Sequence, residues 1–331
     1  MNIFDVAKEA GVSVATVSRV LNDESVVSDS TKKKVNDAVK KLNYHPNLAG
    51  RNLRKNETRL ILIIMNSLIN PLFAKIISGI EETAEKNGYN VLLCTTDNQP
   101  EKIEKHLGLL SKKIADGAIL LSIEVPDYLK KSICRIAEAT PIVQCCEYQS
   151  DVKLPIISID NYKAMYDATE YLIKKGRRKL LHISCENEYT STVLRFNGYR
   201  DALLNNGIEF NPDFVIKGNY GFRNATKITS AFLESGKTVD GVLANSDKMA
   251  AGAIKALEES GLKIPHDVCV MGFDNSSFCH MFTPSISSVS QSQKQLGVEA
   301  FEAVLSKIKN TPCKSKTILD HELIIRKSTE I

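Results

Sequence analysis

Two lobes of parallel α/β structure behind a small helical head is the architecture this sequence predicts, and three observations carry it. Residues 3–45 hold three short apolar patterns at helical spacing. From Leu60 onward, short apolar runs alternate with amphipathic helical segments, the signature of parallel sheets covered on both faces. Similar strand–helix units recur on either side of Asp160, so the body divides in two.

In the head, Ile3, Val6, Ala7 and Ala10 share one helical face, and Gly11 stops that helix. Ser13 is a fitting N-cap for a second helix, Val14 to Leu21, with Val17, Val20 and Leu21 inward. Ser28 to Ser30 are placed to cap a third, which repeats apolar residues at Val35, Ala38, Val39 and Leu42. The short Gly11-Val12-Ser13 connection is that of a helix-turn-helix. Residues 46–58 form a polar link. Pro46 suits the first position of about two turns of weak helix, and Gly50 costs such a helix roughly 0.5–1 kcal/mol. Alone, it frays.

In the body, strands are expected at Leu60–Met65, Val91–Cys94, Ala118–Leu121, Ile142–Cys146, Ile156–Ile159, Leu180–Ile183, Val242–Leu243 and Val268–Met271. Amphipathic helices are expected at Phe73–Lys86, Ala164–Lys174, Ala225–Leu233 and Met249–Glu258. Such sheets bind ligands beyond the carboxyl ends of their strands, which places a pocket between the lobes. The division that follows is 1–45 for the head, 46–58 for a hinge helix or linker and 59–331 for the body. Within the body, one lobe takes about 59–160 and 290–318, the other 161–289 and 319–331.

The chain of 331 residues is 43% hydrophobic and 25% charged, as expected of a soluble globular protein. Its net charge of +4 is localised, because residues 1–55 hold ten Lys/Arg against six Asp/Glu. A basic head on a neutral body suits a polyanion-binding module joined to something else, with a solvated basic face as the alternative. No apolar run is long enough to span a membrane, and Met1 to Asp5 do not resemble a secretory leader. The eight cysteines form no C-x-x-C pair, which with the missing leader predicts free thiols in the cytoplasm. The six histidines show no metal-ligand spacing. A nucleophile elbow and phosphate-binding glycine loops are likewise missing, so the expectation is no metal, no cofactor and no catalytic site.

A helix-turn-helix reads base edges from the start of its second helix and holds phosphates with small polar residues beside it. Arg19 is suited to a guanine, Val14 and Ala15 to a thymine methyl. Ser13, Thr16, Ser18 and Asn22 offer donors to the phosphate backbone. Ordinary helix packing is the competing reading.

The run Asp5-Val6-Ala7-Lys8-Glu9-Ala10-Gly11-Val12-Ser13-Val14-Ala15-Thr16-Val17-Ser18-Arg19-Val20-Leu21-Asn22 resembles the headpiece of the lactose/galactose/purine repressor (LacI/GalR) family. Tyr44-His45-Pro46-Asn47 and Arg51-Asn52-Leu53 are similar to the end of that headpiece and its hinge helix. Asp116-Gly117, Ile159-Asp160-Asn161, Gly198-Tyr199, Ser246-Asp247-Lys248-Met249-Ala250, Gly272-Phe273-Asp274-Asn275 and Leu323 to Thr329 extend the likeness over the whole chain. The resemblance implies a periplasmic-binding-protein-like core and a dimer on double-stranded, palindromic operator DNA. Two hinge helices would then fold in the minor groove, each wedging Leu53 between base pairs. Tyr44, Asn47, Arg51 and Arg54 would contact DNA with them. Gly50 stands where many members have alanine, so this hinge would depend more on its partner. The alternative for Leu53 is a buried linker anchor.

The same resemblance makes Arg195 and Asp274 ligand-binding residues, with Phe73 stacked on the ligand and Tyr220 facing it. Asp160, Ser191, Ser246 and Asp247 are further polar candidates. Position 146 departs from the pattern, since several relatives carry aspartate where this chain has Cys146 followed by Glu147. The alternatives are a structural Arg195–Asp274 salt bridge and simple core packing of Phe73. Gly50-Arg51-Asn52 and the Leu323–Thr329 ending are most similar to the cytidine-repressor branch, implying a nucleoside effector first and a sugar second. With no heptad tail after Ile331, a homodimer is the expected assembly. A protein co-effector, or a plain solute-binding protein, are the competing functions; the basic head and missing leader count against the second.

Overall fold

The computed structural model describes residues 1–21, 27–44, 57–187 and 189–330, which form two units, Met1–Thr58 and Arg59–Ile331. The expectations for Asn22, Pro46, Asn47, Gly50, Arg51, Leu53 and Arg54 lie outside the described residues.

In the head, α1 spans Ile3–Ala10, α2 Val14–Leu21 and α3 Asp29–Lys41. Asn2 and Asp5 close a reciprocal capping box at the start of α1, and Gly11 ends it at φ 66°. Ser13 Oγ accepts the Thr16 amide at 3.1 Å, the expected cap of α2. Ser28 departs from expectation: its hydroxyl bonds those of Ser30 and Thr31 instead of a backbone amide. Val6, Val17 and Val35, one from each helix, are fully buried at the centre. A Lys41–Glu9 ion pair of 2.6 Å ties α3 to α1 on the exposed surface.

The body holds two six-stranded sheets. The first contains β1 (Leu60–Met65), β2 (Asn90–Thr95), β3 (Gly117–Leu121), β4 (Ile142–Cys145), β5 (Ile156–Ile159) and, from far along the chain, β11 (Lys316–Leu319). Its order is β2-β1-β3-β4-β5-β11, all parallel. The second contains β6 (Leu180–Cys185), β7 (Val215–Gly218), β8 (Gly241–Ala244), β9 (Cys269–Phe273), β10 (Ser287–Ser290) and β12 (Glu322–Ile324). It repeats the same order as β7-β6-β8-β9-β10-β12, with only β12 antiparallel.

Helices cover both faces of the first sheet. Ile61, Ile63 and Met65 of β1 pack towards α4 (Pro71–Lys86) and α11 (Gln293–Ile308). Leu62 and Ile64 pack the other way, towards α5 (Pro100–Ser111) and α6 (Asp127–Ala139). That two-sided burial is why the strand is apolar throughout. Around the second sheet, α7 (Asn161–Lys174) packs on α8 (Thr190–Asn205), and α9 (Phe222–Glu234) packs on α10 (Asp247–Glu259). The chain passes between lobes three times, at β5 to α7, β10 to α11 and β11 to β12. These crossings are neighbours: Leu319 pairs with Ile159, and Ser292 Oγ donates to the Asp320 carbonyl at 3.0 Å.

Candidate functional site

Each sheet reverses its winding beside its first strand, which leaves a crevice at the carboxyl ends of the strands. The loops leaving those ends converge on one cavity of about 380 Å3, at the small end of small-molecule sites. Asn66 after β1, Ser122 after β3 and Glu147 after β4 face it from the first lobe. Arg195 on α8, Asp274 after β9 and Gln291 after β10 face it from the second.

Arg195 is 6% exposed. Its Nε donates to Asn161 Oδ1 and its Nη1 to the Asn245 carbonyl, both at 2.8 Å. The guanidinium lies over the Phe273 ring, 3.6 Å from its centroid, so stacking adds to the hydrogen bonds. The expected alternative of an Arg195–Asp274 salt bridge is not formed.

Asp274 sits at φ 108°, a backbone region costly for any residue but glycine. Its amide donates to the Val289 carbonyl, Gln293 Nε2 donates to its own carbonyl, and Gln291 Nε2 donates to Oδ1 at 2.5 Å. Burial raises its carboxyl to about 7, partly opposed by the nearby Arg195 charge. Because the folded chain holds this proton more tightly than the unfolded one, the carboxyl favours folding at low pH. That contribution is lost as pH rises from its ordinary 3.8 to about 7. Thermal melts of unliganded protein across that window are expected to fall in midpoint, and Asp274→Asn, which keeps the Gln291 acceptor, is expected to flatten the decline.

Glu147 joins the lobes. Its carboxylate accepts the Ser191 amide at 3.1 Å and the Ser191 hydroxyl at 2.5 Å, capping the start of α8 from the opposite lobe. Burial raises its carboxyl, with those two bonds opposing. Thr190 Oγ1 donates to the Tyr148 carbonyl at 2.7 Å beside it.

The cavity brings together six of the nine residues expected there: Phe73, Cys146, Ser191, Arg195, Tyr220 and Asp274. Phe73 both packs in the first-lobe core and lines the cavity. Cys146 adopts φ 70°, and its neighbour Cys145, with burial, holds its thiol protonated. The Cys145 and Cys146 sulfurs are 3.9 Å apart, and all eight cysteines are free. The other three are elsewhere. Asp160 is exposed and caps α7 through the Lys163 amide at 2.9 Å. Asp247 is buried behind the wall, accepting from Ser288 Oγ at 2.5 Å and the Ser276 amide at 2.6 Å. Ser246 caps α10 and lines a smaller adjoining hollow with Asn70, Tyr220 and Asp274. Sequence reasoning passed over Asn66, Asn161 and Gln291. Only Asn161 had a signal, in the Ile159-Asp160-Asn161 run.

On the head, Ser13, Ala15 and Arg19 are exposed along α2, with Thr16 and Ser18 half-buried between them. Val14, expected to face a base, is half-buried and packs partly against the head's core, as does Tyr44. Among the described residues, no helix is long and apolar enough to cross a membrane, and no group of His, Cys, Asp or Glu is placed to hold a metal.

Residues 2–47 match the model of bacterial regulatory proteins of the lacI family, and residues 58–327 match that of periplasmic binding proteins and the sugar binding domain of the LacI family. The chain belongs to the LacI family. It is 36% identical over 330 residues to the HTH-type transcriptional regulator RegA of Clostridium saccharobutylicum, covering 99% of each chain. It is 35% identical to the HTH-type transcriptional repressor CytR of Escherichia coli K12, covering 98% of this chain and 95% of that one. Among solved structures, the lac repressor dimer bound to operator and the anti-inducer ONPF superposes with a TM-score of 0.90 at 25% identity, over 99% of both chains. The CelR–cellobiose complex follows the same fold with a TM-score of 0.75 at 28% identity over 99% of both. As a LacI-family member, the chain is a DNA-binding transcriptional repressor.

Proposed function

We propose that this LacI-family chain works as a homodimer whose grip on a palindromic operator is set by a small molecule, a nucleoside or a sugar, held between the lobes of its body. The observation that supports this most is the cavity itself: polar groups from both sheets converge on it, and Glu147 and Ser191 meet across it. A ligand there touches both lobes at once. It therefore has different affinities for different lobe arrangements, which is all that control of a second site requires. The solved lac repressor dimer on its operator and the CelR–cellobiose complex support the assembly and the kind of ligand.

Selection from random duplexes at physiological salt, with and without metabolites, is expected to return one palindromic sequence whose recovery depends on one compound. A pool with no preferred duplex overturns the proposal. On the head, Arg19→Ala is expected to cost about 1–3 kcal/mol of specific binding and to relax preference at one base position. Gel shifts over operator variants measure both, and unchanged discrimination removes Arg19 from base reading.

A further inference from the structure

We propose that Cys145 and Cys146 form an oxidation site in the cleft wall. A small peroxide closes them reversibly into a disulfide between adjacent residues, which disturbs the junction of the two lobes. The effect on DNA binding rests on the cleft being the control site, as proposed above.

Strand β4 ends at Cys145, and successive side chains of a strand point to opposite faces. These two do not. Cys146 turns into the left-handed region at φ 70°, costly for any residue with a side chain, and its sulfur lies 3.9 Å from that of Cys145. Hydrogen bonds to β5 hold the turn: the Cys146 amide donates to the Ile157 carbonyl at 2.9 Å, and its carbonyl accepts Ser158 Oγ at 2.8 Å. The fold itself thus brings the two sulfurs together, and backbone strain of this kind points to a function.

Of the eight cysteines, Cys146 and Cys185 line the cavity, whereas Cys145 is fully buried in the first-lobe core. A peroxide in this space of about 380 Å3 meets Cys146. The Cys146 thiolate attacks one peroxide oxygen, the O–O bond breaks, and water leaves with the thiol's proton, giving a sulfenic acid. The Cys145 sulfur then attacks the Cys146 sulfur. The S–S bond forms, the S–O bond breaks, and a second water carries off the Cys145 proton. The thiols together lose two electrons and the peroxide gains them. Cys145, then burial and the Asp274 and Glu147 carboxyls, hold Cys146 protonated, so attack is slow and only sustained oxidation closes the pair.

Closure brings the sulfurs from 3.9 Å to about 2.05 Å, and the Cys145 thiol gives up its contact with the Leu296 carbonyl of α11. The next residue, Glu147, holds the Ser191 amide and hydroxyl of the other lobe, so the movement reaches the junction. Adjacent Cα atoms stand about 3.8 Å apart, short of the roughly 4.4–6.8 Å of ordinary disulfides. Such a bond is strained and readily reduced, which suits a switch and not a structural bridge.

The test treats reduced full-length protein with excess hydrogen peroxide at mildly alkaline pH, blocks the remaining thiols with N-ethylmaleimide and digests with trypsin. Cleavage after Arg135 and Lys153 isolates a peptide whose cysteines are Cys145 and Cys146 alone. It is expected to be unlabelled and lighter by two hydrogens, and to take two labels after dithiothreitol. Gel shifts with the duplex recovered by selection are expected to show operator affinity changed about fivefold or more, the lower range of allosteric coupling. Cys145→Ala is expected to abolish that response. A fully labelled peptide, a Cys146 carrying only added oxygens, or a link to Cys185 overturns the inference. So does a closed pair with unaltered operator affinity. A selection that yields no duplex defeats the operator reading instead, and the wild-type peptide mass still decides the cysteine pair, even where Cys145→Ala does not fold.

Discussion

Arg195→Ala is expected to destabilise the body by about 3 kcal/mol and to erase its response to any cleft ligand. The side chain is buried, and its removal leaves Asn161 Oδ1 and the Asn245 carbonyl without their donor. Each such orphan costs about 1–3 kcal/mol. The Phe273 ring also loses the plane that covers it. Arg195→Lys keeps the charge but cannot reach both acceptors or lie flat on the ring, so an intermediate loss is expected. Urea unfolding followed by circular dichroism measures the first effect, and calorimetric titration the second. An unchanged midpoint for alanine would show that the arginine is not what joins α7, β8 and β9 at the cleft floor.

The second large effect is expected where two helices of the first lobe cross. Gly79 of α4 and Gly297 of α11 face each other where these helices cross, and a Cβ at either would collide with backbone of the other helix. At Gly297 the obstruction is the Ile76 carbonyl oxygen. A backbone atom cannot swing aside like a side chain, so the helices themselves must separate. Gly297→Ala is therefore expected to cost about 3 kcal/mol, the upper range of overpacking. Gly108 supplies the contrast. It lies within α5 at an ordinary helical angle with nothing near its missing Cβ, so Gly108→Ala is expected to stabilise by roughly 0.5–1 kcal/mol. Opposite signs from the same chemical change would establish close helix approach as the cause.

The strands that the sequence displayed most openly are those buried on both faces, such as Leu60–Met65, because every position there must be apolar. Strand β10 hid for the opposite reason. Ser287, Ser288 and Ser290 are polar yet buried, and the first two are accommodated by Thr329 Oγ1 at 2.7 Å and Asp247 at 2.5 Å. No window of sequence reveals partners forty residues away. Edge strands β7 and β11 are only half-buried and so lack a full apolar run. Helix α8 also escaped notice, since Ser191, Thr192 and Arg195 turn polar groups inward towards the cleft. Polar groups turned inward there spoil the amphipathic pattern that announces a helix. In the cleft, Arg195 and Asp274 were legible through family likeness. Asn66 and Gln291 were not, because they meet only once separate strand ends converge. Asp160 and Asn161 show how fine the distinction is. They are neighbours, but the helix start turns the first back to the Lys163 amide and the second to Arg195.

The three adjoining passages between the lobes have a mechanical consequence. One tether would leave the halves free to tumble about each other, and two would still permit twisting. Three strands of chain laid together behave like the spine of a book: the covers open and shut about that line, and other displacements are stiff. A molecule wedged between the pages is thus converted into a single coordinate, the opening angle, at the edge where the covers are widest apart.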